Sequence, residues 1–135
     1  NAVLLNLGYR TGDKIVHTPE WLATHGWVTS IEKVTKLAER AKNKTIFFCS
    51  TAGHEKELWA LYSRVICLVI DENTLKHRVA TRDSNTFGKK KHELDAILKW
   101  LPGKEENYRK FGATIVDATQ PLNKVVDEII KLASD

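Results

Sequence analysis

Two arginines, Arg78 and Arg82, stand four residues apart where "HRVATRDSNTFGKK" (77–90) passes from a helical pattern into a polar stretch. Four residues is close to one helical turn, so both side chains fall on one face. A guanidinium binds two phosphate oxygens with its planar fork and stays charged at any working pH. From Lys76 to Lys110 ten Lys/Arg are set against five Asp/Glu, a local balance of +5 in a chain whose net charge is +4. Such an excess attracts phosphate, on a small molecule or on nucleic acid, although a basic run by itself is most often a solvated surface.

Other residue types that do chemistry are thinly spread. Cys49 in "TIFFCS" and Cys67 in "VICLVI" lie in apolar, β-like runs without metal-ligand spacing, and the five histidines form neither H-E-x-x-H nor a Cys/His cluster. Buried, reduced thiols are expected, as in a cytoplasmic protein. Trp59 and Trp100 lie in amphipathic stretches and read as core. Trp21 and Trp27, flanking "LATHG", read as packing residues first and as stacking surfaces second.

The elements that must position these residues follow from periodicity. In "TSIEKVTKLAERAKN" (29–43), Ile31, Val34, Leu37, Ala38 and Ala41 recur at helical spacing, Thr29 with Glu32 makes a capping box, and Asn43 can close the helix in the left-handed conformation. "TIFFCS" (45–50) reads as a strand, "EKELWALY" (55–62) as a short helix, and "RVICLVID" (64–71) as a strand buried on both faces. Asp71 can cap a helix over 72–82. Beyond the polar stretch, Leu94, Ile97, Leu98 and Leu101 predict a helix over 92–101, and "KEENYRKF" (104–111) a further one that Gly112 stops. "ATIVD" (113–117) reads as a third strand, and Leu122, Val125, Val126, Ile129, Ile130 and Ala133 predict a final helix opened by Pro121.

Helices thus alternate with apolar strands, which predicts an α/β fold with a parallel sheet flanked by helices. At 135 residues and 42% apolar, one core and a single domain over 1–135 are expected. No apolar run is long enough to span a bilayer and the sequence shows no signal-peptide pattern, so a soluble protein without membrane partners is expected. Ligands of such sheets bind beyond the carboxyl ends of the strands, here "CSTAGH" (49–54), "DENT" (71–74) and "DATQP" (117–121).

In "VIDENTLKHRVATRDSNTFGKKKHELDAILKW" and "YRKFGATIVDATQPLNKVVDEII" the chain resembles the second half of a small P-loop kinase of the adenylate-kinase/shikimate-kinase-like group, closest to its bacterial AAA-family ATPase and nucleoside-kinase proteins. "HTPEWLATHGWV" (17–28) and "FFCSTAGHEKE" (47–57) are similar to the substrate-side segments of that group, so the likeness extends from about residue 15 onward. The resemblance implies a three-layer P-loop NTPase-like sheet, with ATP and Mg2+ as cofactors and a small-molecule phosphate acceptor. Arg78 and Arg82 would be LID arginines that stabilise the transferred phosphoryl group, with residues 83–91 the hinge and cover and Gly88 absorbing the movement. Asp117, Ala118, Thr119, Gln120 and Pro121 would lie against the adenine, and Arg109 would offer a second anion contact. Cys49, Ser50 and Thr51 would sit near the nucleotide or acceptor, although a strand end and a turn account for them equally, and Trp21 and Trp27 would wall the acceptor site.

The sequence departs from the group at one place. It contains no G-x-x-x-x-G-K-[ST], and "LGYRTGDK" (7–14) lacks that spacing. The resemblance therefore implies either that the first strand and phosphate loop belong to a parent chain upstream of Asn1 or that the chain is a genuine truncation of the group's fold. Three functions follow: an ATP-dependent phosphotransferase or NTPase, a non-catalytic nucleotide-binding or interaction module, and a nucleic-acid binder using residues 76–110. The acids interleaved in that segment make nucleic acid the weakest of the three.

Overall fold

Capping and apolar periodicity set the order of elements in the computed structural model, which describes residues 18–26, 28–50 and 55–134. The chain divides into two compact units, residues 1–63 and 64–135.

In the first unit, α1 (Pro19–Thr24) starts on Thr18, whose hydroxyl accepts from the Trp21 amide at 3.2 Å, with proline in the first turn. Helix α2 (Ile31–Arg40) is capped by Ser30, whose Oγ accepts from the Lys33 amide at 3.3 Å. The cap is thus one residue later than the Thr29 box predicts. Thr29 is instead buried, its hydroxyl 3.5 Å from that of Ser50. At its far end α2 tightens into a 3₁₀ turn over Ala41–Asn43. Residues 45–50 run on without forming a strand. Their side chains alternate as in a strand, Ile46 and Phe48 half-buried, Thr45, Phe47 and Cys49 exposed, but no ladder forms among the described residues. A strand needs a partner for its backbone as well as β-branched residues, and the second requirement alone is met here. Helix α3 (Glu55–Leu58) passes into a 3₁₀ turn at Trp59–Leu61. Leu58, 1% exposed, and Val34, 3% exposed, are the innermost apolar residues among those described in this unit.

The second unit is built on two parallel strands, β1 (Ile66–Val69) and β2 (Thr114–Asp117), paired from Ile66↔Thr114 to Val69↔Asp117. Parallel strands need a long crossover, supplied here by α4 (Glu72–Thr81) and α5 (Lys91–Lys110). A last helix, α6 (Leu122–Ser134), follows β2. Val116, fully buried, forms the core with Ala118 and Val125, and Ile66, Ile70, Ile129 and Leu132 pack around them. The α/β arrangement with a parallel sheet is as expected, but the sheet has two strands among the described residues. Leu68 on β1 is 52% exposed, so the strand is not buried on both faces.

Helix α5 departs most from expectation: it continues through Pro102, where two helices are predicted. Proline removes one backbone hydrogen bond and crowds the preceding turn. The stripe begun by Leu94, Ile97, Leu98 and Leu101 nevertheless carries on through half-buried Lys104, Glu105 and Tyr108, so the same face stays covered on both sides of the proline. The pairs Glu105–Arg109 and Glu106–Lys110 support the turns beyond it. The helix ends as predicted at Gly112 (φ 88°), with Gly112 N donating to Arg109 O and Ala113 N to Tyr108 O, both at 3.0 Å. Three further expectations of burial are corrected. Cys49 is exposed, Cys67 is half-buried, and Trp100 is 46% exposed on α5. Among the described residues no helix is long and apolar enough to cross a membrane.

Candidate functional site

Both strands of the second unit end together, and the chain leaves each through an aspartate. Asp71, after β1, caps α4: Oδ1 accepts from the Thr74 amide at 2.7 Å and Oδ2 from its hydroxyl at 3.1 Å. Asp117, the last residue of β2, accepts at Oδ1 from the amide and the hydroxyl of Thr119, at 2.9 and 2.6 Å. These two bonds, the hydroxyl's first, hold the Asp117 carboxyl below its ordinary value. Gln120 Nε2 donates to the Asp117 carbonyl at 3.4 Å, and Pro121 O accepts from the Lys124 and Val125 amides as α6 begins. Residues 117–121 thus form a turn braced by its own polar groups.

Between the strand ends lies an open crevice of about 380 Å³, lined by Val69, Ile70, Asp71, Glu105, Asp117 and Thr119. Its position is the one at which open parallel sheets bind ligands, and its volume lies within the range of small-molecule sites. Its walls are acidic. Glu105 Oε1, however, accepts from Arg109 Nε and Nη2 at 3.1 and 2.8 Å, which neutralises one of the three carboxylates.

The arginines are placed in a way that spacing alone does not reveal. Arg78 reaches from α4 to the 117–121 turn, where Nη2 donates to the Ala118 carbonyl at 2.7 Å. This brings two of the sequence-predicted motifs, the helix arginine and the strand-end loop, into contact across 40 residues of chain. Arg82 points the other way along its own segment, with Nη2 donating to the Phe87 carbonyl. The Arg82 Nε–H is buried without a hydrogen-bond partner among the described residues. Arg109 is held by Glu105 rather than standing ready for an anion.

The segment compared with a hinge and cover is fastened down at several points. Besides the Arg82–Phe87 bond, the Gly88 amide donates to Glu93 Oε2 at 2.9 Å and the Lys90 amide to the same oxygen at 3.4 Å. Gly88 is buried at φ 93°, and a Cβ there would lie 2.8 Å from Ile97 Cδ1 and 3.0 Å from Val79 Cγ1. A side chain there would be strained by the positive φ and would push Ile97 and Val79 aside, so Gly88 suits close packing of the loop on α4 and α5.

Cys49, Ser50 and Trp21 belong to the first unit. Cys49 and Ser50 are exposed, and Trp21, 9% exposed, stacks on His25 at 4.7 Å between ring centroids. Trp27 and Thr51 lie outside the described residues. Asp71 is expected from the sequence both as a cap and at a ligand-facing strand end, whereas Glu93 and Glu105 are not singled out. The place of Asp71 at a strand's carboxyl end is a readable signal; that Glu93 is buried under its own loop is not.

Among the described residues no group of three or more His, Cys, Asp and Glu is placed to hold a metal ion. Comparison of the chain with protein-family models, with curated proteins and with solved structures found no match.

Proposed function

We propose that residues 64–135 form a non-catalytic nucleotide-binding unit, with the nucleoside end of the ligand in the crevice at the carboxyl ends of β1 and β2. The observation that carries this reading is the Arg78–Ala118 bond, which sets a cation of α4 against the turn that closes the crevice. An acidic wall suits ribose hydroxyls, which donate to carboxylates, better than bare phosphates. The free Oδ2 side of Asp117 is the acceptor best placed for them. The phosphates would lie toward Arg78 and bring their own magnesium. A non-catalytic role fits because both arginines are engaged with carbonyl oxygens of their own chain. Phosphoryl transfer needs cations free to surround the migrating group.

A second reading, the ATP-dependent phosphotransferase or NTPase with a three-layer P-loop fold, keeps one observation in its favour. Arg78 is exposed and uses one guanidinium nitrogen at Ala118, leaving the rest of its fork for a phosphate. Titration of Mg·ATP, Mg·ADP and adenosine by heteronuclear NMR distinguishes the cases. Nucleotide binding without turnover should shift the amides of residues 69–71 and 117–120 and be weakened by Arg78→Ala. Phosphate release or transfer to an acceptor would establish the second reading, with Arg82→Ala lowering turnover far more than stability. Absence of saturable shifts at the strand ends with all three ligands would remove both.

A further inference from the structure

The first unit has a crevice of its own, and its chemistry is opposite to that of the strand-end site. About 290 Å³ in volume, it runs along α2, where Lys33, Lys36 and Arg40 follow one another at i, i+3 and i+7 and so share a face. Val34, Leu37 and Phe48 line the same crevice, Val34 buried and the other two half-buried. At the end nearest the helix start stand the hydroxyls of Thr29 and Ser30, both residues 6% exposed. The crevice thus sets cations, an apolar floor and two buried hydroxyls side by side.

The three cations are not equivalent. Lys36 Nζ is 2.6 Å from Glu32 Oε1, and that pairing raises the lysine's pKa and lowers the glutamate's. An incoming anion would have to compete with Glu32 for it. Lys33 and Arg40 stand in no ion pair among the described residues, so they are the cations with charge to spare. A ligand that satisfies the crevice must therefore combine one or two negative charges with a compact apolar body. Charge alone would gain little at exposed lysines, and an apolar group alone would leave the cations where they were.

We propose that the α2 crevice is a binding site for a small amphipathic anion, a carboxylate or phosphate monoester with an aliphatic or aromatic body. Its charge rests on Lys33 and Arg40 and its apolar part on Val34, Leu37 and Phe48. The site is independent of the nucleotide reading of the second unit.

The test uses the full chain and three probes followed by heteronuclear NMR: phenyl phosphate, benzyl alcohol and inorganic phosphate. Phenyl phosphate should give saturable shifts at the amides of residues 29–40 and 48. Benzyl alcohol and inorganic phosphate should bind at least about tenfold more weakly, since each offers half of the recognition. The charge reversal Lys33→Glu with Arg40→Glu changes only exposed side chains, and its spectrum reports whether α2 persists. It should raise the Kd for phenyl phosphate at least about tenfold. Equal response to all three probes, shifts scattered away from α2, or an unchanged Kd in a folded double variant would each overturn the proposal. Should that variant lose α2, the conservative Lys33→Gln with Arg40→Gln takes its place under the same criteria.

Discussion

The Asp117 carboxylate receives both an amide and a hydroxyl from Thr119, and these two bonds shape the turn beneath the crevice. They favour the ionised form, so the folded-state pKa lies below the unfolded one. The stabilisation is therefore in place above the ordinary aspartate value of about 4 and is lost as the pH falls through the lower folded value. Thr119→Val removes the hydroxyl bond and keeps the amide one. The expected result is an Asp117 pKa that rises toward the ordinary value without reaching it, measured by NMR titration of the side-chain carboxyl. An unchanged pKa would mean that the hydroxyl is not its main cause. The pattern "DATQP" was legible as a strand-end loop, because a short polar run after a β-branched strand has few other uses. The partner of Arg78 was not: its acceptor is a backbone carbonyl, which every residue possesses, so no side-chain pattern marks it.

At the scale of the element, α5 separates local preference from packing most clearly. Proline in a helix interior costs about 3 kcal/mol relative to alanine, and α5 carries Pro102 near its middle, exposed, next to Gly103. Pro102→Ala should consequently raise stability, by up to about 3 kcal/mol, in urea denaturation. If the segment were two helices meeting at the proline, the same change would leave stability level or lower it. Helix α6 gives a related lesson. Its apolar register was readable from the 3.6-residue period, yet Val125 is 5% exposed while Leu122 is 78% and Ile130 53% exposed. Periodicity defines a stripe, but the width of the stripe that a neighbour covers depends on what packs there. Residues 45–50 show the same limit for strands, since a ladder is a property of two segments and propensity is a property of one.

For the molecule as a whole, the basic segment that suggested nucleic acid keeps its excess of five positive charges, but half of its ten cations are paired with carboxylates. Lys76, Lys89, Lys91, Arg109 and Lys110 each pair with a nearby carboxylate, while Arg78 and Arg82 bond carbonyl oxygens. Exposed pairs of this kind add little stability, but they reduce the field a polyanion would meet. Both strands, their crossover and the core around Val116 lie within residues 64–135. That fragment is expected to fold alone, with a dispersed NMR spectrum and one cooperative melting transition, though with the modest stability of a small domain. A collapsed spectrum would show that its core depends on residues 1–63.

Taken by itself, the sequence determined helices α2, α4 and α6, the stop of α5 at Gly112, and the two apolar runs that become β1 and β2. Those features rest on hydrogen bonds and apolar spacings among residues within a turn or two of one another. Only the tertiary structure decided that Arg78 braces the 117–121 turn, that Glu93 is buried under the 83–90 segment, and that three acids line the strand ends. These contacts depend on which surfaces meet after collapse, and the free energy that selects them is spread over packing that no local window contains.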